Sequence, residues 1–167
     1  SAPVLFMDFN KPPEYTGTSI YYSGTYVQDN SVYNNFGTMA DTHPWNPAKV
    51  NNGLSFDGND YICGGTVAGT CARAADFSFP TGTNTDFAMG VWVKFATQGA
   101  TANIASTYDG TSGQYVRIYV DTNGILYWDT RDSSLTAVVT TSPSRYDDNT
   151  WHHIVGVRDG TNDLHKL

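Results

Sequence analysis

The chain has 167 residues, of which 40% are hydrophobic, 14% aromatic and only 15% charged. That balance supplies a core and excludes a disordered polymer, which pairs few aromatics with high charge. A net charge of −7 excludes the basic footprint that nucleic-acid phosphates or anionic membranes require.

Of the 16 acidic residues 15 are Asp, and Glu14 is the single Glu. Leu, Lys and Arg are scarce, while Thr, Tyr, Val, Asn, Ser and Gly are plentiful, a composition that disfavours helices. Length favours one globular domain over 1–167. No apolar run is long enough to span a bilayer.

Taken in chain order, Thr16 to Pro47 is rich in Tyr, Asn, Ser and Thr, with turn chemistry at Asp29-Asn30-Ser31 and Asn34-Asn35. It predicts a long surface excursion with one short strand. Cys63 and Cys71 flank a flexible loop that lets their sulfurs meet. A bridge there would contribute about 2–3 kcal/mol and indicate an oxidising compartment; two unrelated buried thiols are the alternative. Further ligands for zinc are not evident. Ala68 to Ala75 is the one stretch with helical character.

Phe87, Met89, Val91, Val93 and Phe95 alternate with Ala88, Gly90, Trp92 and Lys94, as in a strand with one face in a core. Val116, Ile118 and Val120 alternate likewise with Tyr115, Arg117 and Tyr119. Asp121-Thr122-Asn123-Gly124 then predicts a hairpin through a type I′ turn, with positive φ at both central positions. Ile125 to Ser142, free of Gly and Pro, reads as strand through Tyr127, Trp128, Val138, Val139 and Thr140. Trp151, His153, Val155 and Val157 alternate with His152, Ile154 and Arg158. Together these patterns predict an all-β fold of antiparallel sheets, a sandwich or barrel.

Five segments carry a further resemblance. They are Leu5-Phe6-Met7-Asp8-Phe9; Val27 to Ser31 with Asn34 to Thr38; Asn52 to Ile62; Asp86 to Lys94; and Asn149 to Val155 with Arg158-Asp159-Gly160. In that order they resemble laminin G-like domains of the concanavalin A-like class. The resemblance implies a two-sheet antiparallel jelly-roll β-sandwich. It also implies a domain incomplete at its C-terminus, because the family continues with further strands beyond the motif that ends at Gly160. Those strands would be cut off or supplied by a neighbouring chain.

The fold leaves the function open. Glucanases sharing it use a close pair of Glu, and this chain has one. Asp129 and Asp132 stand three apart, and Asp147-Asp148 sit in a turn, so no enzyme is expected. His152 and His153 belong to the strand motif, with no nucleophile elbow nearby. Asp57, Asn59 and Asp60, with Asp8 across the sheet, could hold a structural calcium; alternatively Asp57 and Asp60 satisfy turn amides. Asp109 to Gly113 is a weaker loop of the same kind. Tyr115, Arg117 and Tyr119, facing Tyr127 or Trp128, could form a sugar platform; alternatively they are cross-strand pairs that stabilise the sheet. Trp92 and Trp151 are assigned to packing.

The expectation is an extracellular or virion-surface recognition or adhesion module, nonenzymatic, whose partner is a glycan or cell-surface ligand. The rival is a structural subunit or decoration protein of an extracellular filament or capsid. Its open sheet edge would be completed by a neighbouring chain or a second copy.

Overall fold

In the computed structural model the described residues are 26–27, 37–39, 45–50, 52–58, 60–64, 86–97, 99–107, 113, 115–131, 135–162 and 164–167. They contain twelve strands and no helix, and every strand pairing is antiparallel. The all-β antiparallel expectation therefore holds. The chain divides into two compact units, Ser1–Ser78 and Phe79–Leu167.

In the first unit β1 (Tyr26–Val27), β2 (Gly37–Met39) and β5 (Ile62–Gly64) form one sheet with β2 central. β3 (Trp45–Pro47) pairs with β4 (Asn52–Leu54). The segment 16–47 is more than a surface excursion. It contributes three short strands, and β2 is wholly buried because it is flanked by pairing partners on both edges. Cys63 is buried and is not a free thiol. Cys71 and the helical stretch 68–75 lie outside the described residues, so the bridge stays a sequence expectation.

The second unit is a two-sheet sandwich. One sheet runs in the order β10 (Ala137–Arg145), β9 (Ile125–Arg131), β8 (Tyr115–Val120), β7 (Ala102–Ser106). The other runs β12 (Leu164–Lys166), β11 (Asp148–Asp159), β6 (Phe87–Ala96). Val116, Ile118, Val120, Leu126 and Trp128 from the first sheet meet Ile154 from the second, with Phe87, Met89, Val91, Val93 and Phe95 packed against them. The period-two alternation of the sequence thus becomes the inner and outer faces of two sheets.

Trp128 is the centre of this core, with 0% of its surface exposed. Phe87 meets it edge-on at 6.0 Å, and its indole N–H donates to the Val157 carbonyl at 3.2 Å. Gly156 lies under the ring, where a Cβ would collide with the indole, so only glycine fits that close approach.

The β8–β9 hairpin forms where expected, but with different turn chemistry. Gly124 has φ of 76°, while Asn123 does not adopt positive φ. The Gly124 amide donates to the Asp121 carbonyl, and the Asp121 amide donates to the Ile125 carbonyl. This is a longer loop closed by one left-handed glycine, which twists as the strands require without a second strained residue. Asp121 Oδ1 accepts the amides of Asn123 and Ile125, both at 2.9 Å. The Gly-free and Pro-free stretch 125–142 is broken between β9 and β10, where Leu135 takes φ of 63°. Pro143 sits in edge strand β10, inside the register shift between Thr141 and Arg145, where its missing N–H costs no ladder bond.

Candidate functional site

Two outer faces of the second unit present aromatic side chains. On β8, Tyr115, Arg117 and Tyr119 point away from the core, as the burial alternation requires. The register sets Tyr119 beside Tyr127 and Arg117 beside Asp129. The rings of Tyr119 and Tyr127 stack at 4.6 Å, 7° from parallel. The Arg117 guanidinium lies over Tyr119 at 4.5 Å and over Tyr115 at 4.8 Å. Its Nε and Nη2 both donate to Asp129 Oδ2, at 2.9 and 2.7 Å. Tyr127 donates its hydroxyl to Asp121 Oδ2 at 3.3 Å.

The electrostatics follow from this closure. Burial, and then the Asp129 charge, hold the Tyr115 hydroxyl above its usual pKa. Burial opposes the Arg117 charge, but the hydrogen bond and charge of Asp129 outweigh it and raise the guanidinium's pKa. Asp129 is 2% exposed, and among the described residues its Oδ1 has no hydrogen-bond partner, although Tyr115 is near enough to feel the carboxylate. The sequence correctly grouped Tyr115, Arg117, Tyr119 and Tyr127. It placed Trp128 with them, and the structure corrects this: Trp128 neighbours Tyr127 in sequence, so the pleat turns it to the opposite face and into the core. The rings that remain spend face area on one another and on Arg117, which is the cross-strand-pair alternative.

The second face lies on the three-stranded sheet. Along β11, Ile154 and Gly156 point inward, so Trp151, His153, Val155 and Val157 point outward. The register opposes Trp151 to Lys94, His153 to Trp92, Val155 to Gly90 and Val157 to Ala88. Trp92 stacks on His153 at 4.9 Å and 25°, yet keeps 43% of its surface exposed. Val155 beside it is 37% exposed. Gly90 supplies no side chain, so the surface next to the Trp92–His153 pair stays low and flat. Trp92 shares a face with Gly90 and Lys94 rather than with Met89 and Val91, so it packs on His153 at the outer face and not in the core. The signal was present in the alternation of 87–95, where the apolar set already filled the inner face without it.

The acids have visible uses. Asp60 Oδ2 accepts the Asp57 amide at 2.9 Å, as turn capping requires. Asp8 and Asn59, the remaining candidate calcium ligands, lie outside the described residues, as does most of the 109–113 loop. Among the described residues no cluster of three or more His, Cys, Asp or Glu converges. Asp147 pairs with Arg145 at 2.7 Å. Asp148 accepts hydrogen bonds from His152 and Thr150, which hold its carboxyl down at about 2. Asp159 accepts both the amide and the side chain of Asn162, and Asp86 accepts the Gly160 amide. A short carboxylate reaches nearby backbone where Glu would overshoot, which explains why Asp dominates.

A family model described as the concanavalin A-like lectin/glucanases superfamily matches residues 65–165. The chain belongs to that superfamily. Comparison with curated proteins and with solved structures returns no match. Membership in the superfamily, with this sandwich and its outward aromatics, makes the chain a lectin-like or adhesion module at the level of class. Among the described residues no helix is long and apolar enough to cross a membrane.

Proposed function

We propose that this superfamily member is a nonenzymatic recognition module that binds carbohydrate, acting outside the cell or on a virion surface. The observation that carries the reading is the exposed Trp92 ring, stacked on His153 beside Gly90 and Val155. A flat aromatic surface with a few placed polar groups suits the apolar face of a sugar ring, and nearby donors orient its hydroxyls. The described carboxylates are committed to turns and ion pairs rather than arranged as a close acid–nucleophile pair, which supports a nonenzymatic role. Modest affinity per site would be raised by repetition on a surface.

A glycan array probed with the wild type, Trp92→Ala and Tyr119→Ala tests this. The reading expects binding that is lost in Trp92→Ala and kept in Tyr119→Ala. The absence of any glycan signal, or a signal indifferent to Trp92, sinks it. Calcium in the 57–60 turn is a separable proposal: a melting temperature lowered by chelator supports it, and an unchanged one removes it.

A further inference from the structure

The chain as a whole is acidic, with 16 acidic against 9 basic residues, but the Trp92 face is not. Between the Lys94–Trp151 row and the Ala88–Val157 row, the described outward side chains of β6 and β11 include one Lys, one His and no carboxylate, and Lys166 of β12 stands across from Val157 on the same face. The two carboxylates at the ends of β11 are turned to other work, Asp148 on His152 and Thr150, and Asp159 on Asn162. Lys94 follows Trp92 by two residues on the same exposed face of β6. That spacing is about 7 Å along the strand, comparable with the reach from a stacked sugar ring to its charged substituent. Trp151 stands directly across from Lys94.

We propose that this face selects an anionic saccharide, with the ring on Trp92 and the Lys94 ammonium meeting the acidic substituent. The proposal rests on the carbohydrate reading above and adds the charge of the ligand. Lys94 beside the Trp92 ring, with Lys166 further along the same face and no carboxylate in these rows of β6 and β11, is the complementary field for a carboxylate or sulfate. Elsewhere the negative net charge of the chain repels such a ligand, which confines it to this patch. Neutral sugars would stack on the same ring without the ionic contact.

The test is an array carrying neutral glycans beside their uronate, sialylated and sulfated counterparts, read at low and at raised salt, with oligoglutamate as competitor. Acidic forms should exceed neutral ones by about tenfold, the scale of one charge-assisted contact. The advantage should shrink with salt and vanish in Lys94→Gln, while neutral binding persists. The uronate and sulfate arms show which acid is used. Equal binding of neutral and acidic forms, or an advantage that survives Lys94→Gln, overturns the proposal but spares the carbohydrate reading. Displacement by oligoglutamate as effective as by acidic glycan overturns it as well, since the patch would then be a plain cation site. Binding that ignores Trp92→Ala overturns both.

Discussion

On the outer face of the β7–β10 sheet, Tyr115, Arg117, Tyr119 and Tyr127 turn toward one another over Asp129. On the outer face of β6 and β11, Trp92 leans on His153 and leaves much of its ring in solvent. Both faces carry aromatics at the same period-two spacing, and their neighbours make the difference. Arg117 has two rings within cation–π reach and a carboxylate across the strand, so closing the cluster satisfies a charge and commits ring area to contacts within the sheet. Trp92 has Gly90 and Val155 nearby, and 43% of its surface stays exposed. An aromatic row beside a complementary ion pair becomes structure, whereas one beside small residues stays available.

The largest effect expected from breaking this comparison belongs to neither face. Trp128→Ala removes the ring at the centre of the sandwich and should cost about 3–5 kcal/mol in a denaturant titration. Glycan binding should fall only in proportion to the unfolded fraction. A variant that melts like the wild type would refute the inward placement of Trp128.

Next comes Arg117→Ala, which strands the Asp129 carboxylate at 2% exposure without its cation. Arg117 itself is 28% exposed, so solvent screens part of the interaction. A loss of about 2 kcal/mol is expected, mostly the penalty of the unpaired acid. Asp129→Asn added to Arg117→Ala should recover part of it, and glycan binding should not change. If Arg117→Ala abolishes binding at unchanged stability, the two faces have been assigned the wrong way round.

Gly90→Val separates binding from stability on the other face. A Cβ at Gly90 would sit 3.5 Å from Val155, an ordinary contact, and Val suits a strand. The melting temperature should shift little, whereas the added isopropyl group rises beside the Trp92–His153 pair and should cut glycan binding severalfold. Retained binding would move the site off this face.

Much of this arrangement was legible in the sequence. The alternations of 87–95 and 115–120 gave the inner and outer faces, and the motif order gave the fold family. Which way Trp128 points was also implicit, since it cannot share a face with Tyr127. Three things were not legible. Whether Tyr119 shows its ring to solvent or to Tyr127 depends on side-chain torsions and strand register. That Trp92, outward by the alternation of 87–95, meets His153 depends on pairing across 61 positions of sequence (residue 92 to residue 153). The Asn123-Gly124 signal located a hairpin but not its type, because the Asp121 carboxylate organises the longer loop.

The smallest expected effect concerns what lies behind both faces. His165 on β12 points inward and stacks on Trp128 at 5.5 Å. Its ring nitrogens pair with the hydroxyls of Thr140 at 2.8 Å and Thr130 at 3.2 Å, on the opposite sheet. Thr140 also meets the His165 carbonyl at 3.1 Å. A neutral ring satisfies this network, with Nδ1–H donating to Thr140, Thr140 donating to the carbonyl and Thr130 donating to Nε2. Burial first, then the charge of Arg158, holds the His165 pKa below its ordinary value, with Asp129 opposing them weakly. The unfolded chain, with a His pKa of about 6.5, therefore takes up this proton before the folded one does. The contribution is fully present above about pH 6.5 and is lost as pH falls through the lower folded value. The contribution of Asp148, held at about 2, stays present across that window and is lost only as pH falls below the ordinary carboxylate range. Between pH 7.5 and 5, thermal melts of the wild type should show a shallow acid-side decline that His165→Gln flattens, at a small cost at pH 7.5. A decline equally steep in the variant would assign it to another group and leave His165 a packing residue, with the Trp92 face unaffected either way.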